Sequence, residues 1–94
     1  MLKEILDELN PDETDIETLS VMTYELGDFA KCLFYKQKYN EPSYMIEAKI
    51  ALSDLIAQCI YMCEKQGWDF ELEVKPMGIA RFIEKVKRHI EKGE

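Results

Sequence analysis

Residues 50 to 63, IALSDLIAQCIYMC, are apolar almost from end to end, yet Asp54 stands near their middle. A helical run with apolar residues on nearly every side reads as the central member of a bundle, the one element that other helices must surround. An ionised carboxylate buried there would be costly unless a cation, a metal ion or several donors compensated it. The segment therefore predicts both an all-α fold and a partner for Asp54.

The chain of 94 residues makes a single domain, 1–94, close to the size below which one core no longer supports folding unaided. With 47% apolar and 33% charged residues it has the composition of a folded protein rather than a disordered one. The net charge of −7 argues against non-specific binding to DNA, RNA or an anionic membrane surface. No run reaches the roughly 18 apolar residues of a membrane span, and MLKEILDEL has no secretory character, so a cytoplasmic location is expected.

Breakers and periodicity divide the chain into helices. Residues 2 to 9 form a short amphipathic helix ended by Asn10-Pro11. Thr14 with Glu17 reads as a capping box that opens a helix to about Tyr39. Residues 40 to 43 make a turn, with Pro42 placed to start a third helix that runs to Gly67. A further helical stretch over 69–75 is expected to break at Pro76 and Gly78 before a last helix from Ile79 to Glu91. The simplest architecture is a bundle of two long antiparallel helices with shorter helices at each end. A central helix apolar on nearly all sides cannot be covered in so small a chain, so self-association as a homodimer or homotetramer is expected to complete it.

The helix faces locate the candidate chemistry. In the second helix Leu19, Met22, Leu26, Phe29 and Leu33 read as the core stripe, and Thr18, Val21, Glu25, Asp28 and Cys32 lie beside it. In the third helix Glu47, Ala51, Asp54, Gln58 and Tyr61 share one face. Antiparallel packing lets the two acidic stripes meet, and oxygen-only ligands favour Mg²⁺ or Mn²⁺. The alternative is that each acid sits at a solvated boundary or pairs with a lysine such as Lys31 or Lys49. Cys32, Cys59 and Cys63 lack zinc-ligand spacing, and the single histidine, His89, is remote, so reduced core thiols are expected.

Three segments together resemble the MazG-like nucleotide pyrophosphohydrolases. Tyr24-Glu25-Leu26-Gly27-Asp28 is similar to that family's E-E-x-x-E motif, and Ala51-Leu52-Ser53-Asp54 stands where its E-x-x-D motif belongs. MGIARFIEKVK resembles the L-G-x-x-R-F ending of a small MazG-like subgroup. The resemblance spans residues 18 to 88 and rests on the order and separation of the motifs.

The resemblance implies an all-α oligomer that uses Mg²⁺ to hydrolyse a nucleoside triphosphate to the monophosphate and pyrophosphate. It makes Glu25, Asp28 and Asp54 the metal-binding and catalytic acids. Tyr24 replaces the first glutamate of the pattern, Asp28 shortens the third, and Ala51 replaces the expected fourth ligand. Glu47, one turn before Ala51, is the candidate to supply the missing oxygen. Lys31, Lys49 and Arg81 are candidates for phosphate contacts, and Trp68, Phe29 and Tyr61 for stacking on a base. Loss of one carboxylate predicts reduced activity, because metals must offset the triphosphate charge and position the attacking water. The other expectation is a catalytically degenerate bundle that binds nucleotides or protein partners without turnover.

Overall fold

The capping box at Thr14 closes as its residues dictate. The Glu17 N–H donates to Thr14 Oγ1 at 3.2 Å, and the Thr14 N–H donates back to Glu17 Oε1 at 3.3 Å. Two of the donors exposed at a helix start are thereby satisfied. In the computed structural model, which describes residues 2–40 and 42–93, this cap opens α2, Asp15–Tyr39. A short helix α1, Leu2–Leu9, precedes it. Asn40 ends α2 in the left-handed region at φ 50°, its N–H donating to Lys36 O at 2.8 Å. Pro42 then caps α3, Ser43–Gln66, which ends at Gly67 with φ 79°. The described residues contain no strand, and no helix among them is long and apolar enough to cross a membrane.

The break expected at Pro76 and Gly78 does not occur. A single π-helical turn, Phe70–Val74, leads directly into α4, Lys75–Glu91. Asp69 caps the turn by accepting from the Leu72 N–H at 2.9 Å. Val74 N–H donates to Asp69 O at 3.2 Å, five residues back. Pro76 falls in the first turn of α4, where its fixed φ suits the helix that follows. Gly78 follows as an ordinary helical residue, at a cost of about 1 kcal/mol relative to alanine.

The α2 and α3 helices pair as an antiparallel hairpin. At the closed end the Tyr35 and Tyr44 ring centroids lie 5.6 Å apart. At the open end Lys65 meets Thr18. The seam between them is made of small residues. Thr18 and Cys32 of α2 are buried with Ala48 and Ala51 of α3, while Tyr61 and Cys63 complete the buried set beside them. Small side chains let the two backbones approach, so the pairing centres on the Thr18–Cys32 stripe. The neighbouring stripe, expected to form the core, is thereby turned outward. Leu19, Leu26 and Leu33 of α2 are exposed while Met22 and Phe29 stay half-buried, and on α3 Met45, Leu52 and Ile56 are exposed while Leu55, Cys59 and Met62 stay half-buried.

The open end of the hairpin is held by Lys65, with Gln66 beside it donating to Asp15 at 2.9 Å. Lys65, its side chain 10% exposed, donates to Thr18 Oγ1 at 2.9 Å and to the Glu13 carbonyl at 3.2 Å, and pairs with Asp15 at 3.1 Å. Thr18, with no solvent exposure, donates in turn to the Glu13 carboxylate while its oxygen accepts the hydrogen bond from Lys65 Nζ. Lys65 also stands 5.1 Å from the centre of the buried Tyr61 ring, close enough for a cation–π contact. Around it, α1 packs on α3, with Lys3 N–H donating to Glu64 at 3.4 Å.

Charged hydrogen bonds of this kind are worth about 1.5–3 kcal/mol each when broken singly. Lys65→Met, which keeps the apolar stem, is expected to lower the unfolding free energy by about 2 kcal/mol, a loss of roughly 10 °C in Tm. Lys3→Met, which removes only the solvent-screened pair with Asp7, should leave stability nearly unchanged. Denaturant titration of both variants makes the comparison.

Candidate functional site

Opposite the exposed leucines, the other side of the hairpin carries a groove of about 420 Å³. The α2 helix lines it with Asp28, Lys31, Cys32 and Tyr35, which recur every three or four residues on one face. The α3 helix contributes Tyr44, Glu47, Ile50 and Ala51. The two acids, Asp28 and Glu47, thus share the groove with one lysine and two tyrosines. Lys31 Nζ sits 5.8 Å from the centre of the Tyr35 ring.

Of the acids singled out in the sequence, Asp28 and Glu47 line this groove, whereas Glu25 and Asp54 sit outside its lining. Glu25 is half-buried and Asp54 is exposed. The carboxyl of Glu25 is pushed above the usual range, first by burial, then by the charges of Asp54 and Asp28. The same field reaches Cys32, whose thiol is raised first by burial and then by Asp28 and Glu47. Glu25 therefore feels Asp28 along its own helix and Asp54 across the hairpin, and Asp28 and Glu47 act together on Cys32. No ion pair neutralises any of the four among the described residues.

The premise that Asp54 is buried does not hold. Only one side of α3 is covered by α2, and Asp54 projects from an uncovered side. It needs no compensating partner within the chain. Ala51, three residues earlier, is 1% exposed and opens onto the groove beside Asp28 and Glu47.

Of the cations, Lys31 lines the groove, Lys49 is exposed outside its lining, and Arg81 lies on α4, which packs against the π-helical turn alone. Tyr61 is too deeply buried to stack on a ligand, and Trp68 lies with Phe70 at a separate hollow near the end of α3. The ring pair at the groove is Tyr35 and Tyr44. Its signal in the sequence is only that both tyrosines flank the turn between the two long helices, Tyr35 four residues before the end of α2 and Tyr44 one residue into α3.

A divalent cation would meet a partial donor set. Among the described residues no three His, Cys, Asp or Glu side chains gather closely enough to hold an ion. Two groove carboxylates suit Mg²⁺ that arrives with a phosphate ligand, because that ion commonly takes one or two protein oxygens and completes its shell with phosphate and water. No family model matches this chain, and no curated protein or solved structure matches it either.

The raised Glu25 carboxyl fixes the sign of a pH effect. The folded chain holds that proton more tightly than the unfolded chain, so this group's contribution to stability falls as pH rises from the unfolded pKa to the raised folded one. Glu25→Gln is expected to be more stable than the parent at pH 7, with the difference vanishing below about pH 4. Thermal midpoints of the two proteins across that range provide the check.

Proposed function

We propose that the chain is a Mg²⁺-dependent nucleoside triphosphate pyrophosphohydrolase of reduced activity, of the kind that the MazG-like resemblance implies. The observation that carries this reading is the common groove of Asp28, Glu47 and Ala51, with Lys31 and the tyrosine pair beside them. Asp28 and Glu47 would hold the metal that accompanies the triphosphate, with Glu25 and Asp54 adding negative potential from the adjoining turns. Lys31 would take a phosphate oxygen, and Tyr35 and Tyr44 would offer rings to the base. The bound ion would offset phosphate charge and activate the attacking water. The chain would act as a homodimer or homotetramer.

A second reading is favoured by the absence of three gathered metal ligands among the described residues. In it the groove binds Mg²⁺-nucleotide without turnover. A panel of ribo- and deoxynucleoside triphosphates with Mg²⁺ or Mn²⁺ separates the two: pyrophosphate release supports the enzyme, and binding by calorimetry without release supports the module.

Position 51 supplies the sharper test. Alanine and glutamate are both good helix formers, so Ala51→Glu asks little of the α3 backbone, while its longer side chain must part the seam locally to reach the groove, and the variant is compared only with its helicity intact. The added carboxylate would project toward Asp28 and Glu47. The variant is expected to bind Mg²⁺ more tightly and to release pyrophosphate about tenfold faster, equivalent to roughly 1.4 kcal/mol of barrier. A variant that stays folded yet gains neither metal affinity nor rate would remove position 51 from the site.

A further inference from the structure

The C-terminal helix is a well-formed element with almost nothing to pack on. Ile79, Phe82, Ile83, Val86 and Ile90 recur along one side of α4, and each is 41–72% exposed. The helix touches the π-helical turn and no other helix among the described residues. Its direction is set by hydrogen bonds, because Lys75 N–H donates to Phe70 O and the π turn runs into α4 without a linker. The apolar stripe is therefore held off its own hairpin.

A matching surface exists on the hairpin. Leu19, Leu26 and Leu33 of α2 lie on the side away from the acidic groove, and antiparallel pairing puts Met45, Leu52 and Ile56 of α3 on that same side. Two apolar surfaces, one a single helix stripe and one a two-helix face, are thus presented by the same chain and do not meet within it.

The dimensions say how much surface is waiting. The chain exposes 7474 Å², about 1,800 Å² more than a compact monomer of its mass. Its radius of gyration is 16.5 Å, against about 12 Å for a compact chain of this length. Two chains hiding that excess would bury about 3,600 Å² together, within the range of obligate homodimers.

Charge points to the same occupant. Residues 75–92 carry six Lys and Arg against two Glu, whereas residues 1–74 carry six against sixteen Asp and Glu. A basic arm and an acidic body attract one another over the distance at which two copies first meet. The cations Arg81, Lys85, Arg88 and Lys92 lie opposite the apolar stripe. They steer the encounter and remain hydrated once the stripe is covered.

We infer that α4 is an exchanged arm: in a dimer, each copy lays the Ile79–Ile90 stripe on the Leu19–Leu26–Leu33 and Met45–Leu52–Ile56 face of the other. This deepens the self-association proposed above and is independent of the nucleotide reading. It leaves the acidic groove, on the far side of the hairpin, open in both copies.

Sedimentation at micromolar concentration tests it with two single variants of exposed residues, Phe82→Glu on the arm and Leu26→Lys on the face. The parent is expected to be a dimer, and each variant to associate at least about thirtyfold more weakly with its helicity by circular dichroism intact. Mixing the two variants should restore dimers, because one arm and one face in the mixed pair are unaltered and the altered pair carries opposite charges. A parent that sediments as a monomer overturns the arm and self-association together, whether or not it binds vesicles of anionic phospholipid. A dimeric parent unmoved by Phe82→Glu, or variants that do not recover on mixing, overturns the arm alone.

Discussion

The contact of Lys65 with Thr18, Asp15 and the Glu13 carbonyl holds the open end of the most extensive helix pairing among the described residues, that of α2 with α3. The seam itself is built from threonine, cysteine and alanine, which bring backbones together but bury little apolar area per residue. A hairpin of that kind is weakly specified by hydrophobicity, and a polar anchor at one end fixes its register. Lys65 does so from the last turn of α3, where a positive charge also complements the helix dipole. Asp15, in the first turn of α2, receives that charge, and its carboxyl is held below the usual range by the hydrogen bond from Gln66 and then by Lys65. The tyrosine pair at the other end closes the hairpin with ring contacts instead.

Much of this architecture could be read from the residues. The α1 limits, the Thr14 capping box and the glycine stop at Gly67 are local signals, set within a turn or two of chain, and the structure has each of them. The choice of packing face is not local. In α2 the larger leucines and the smaller Thr18–Cys32 stripe are both plausible seams, and what decides between them is how near α3 can come, a property of Ala48 and Ala51 on another helix. Asp54 is exposed for the same reason. Counting apolar neighbours along α3 measures what the helix would bury if surrounded, and one chain covers only part of it. The groove was legible in part: Asp28 and Glu47 were found from helical spacing, but Tyr35 and Tyr44 emerge only when the chain is folded about its turn.

The two sides of the hairpin stand in opposite physical conditions. One side gathers carboxylates that no ion pair among the described residues neutralises, and the Glu25 carboxyl is raised there by burial first and by the charges of Asp54 and Asp28 second. The other side gathers leucine, methionine and isoleucine that no helix of the same chain covers. Neither arrangement favours an isolated chain: repulsion opens the seam from the acidic side, and exposed apolar surface gains nothing from folding. Each is relieved by something from outside, a cation or metal-bound anion on one side and an apolar surface on the other. Any such ligand binds the folded hairpin and not the unfolded chain, so its binding raises stability by mass action. Because the same two helices carry both surfaces, tightening the seam from either side also orders the other, and occupancy of the groove and association through the apolar face are expected to strengthen one another through the Thr18–Cys32 seam that they share.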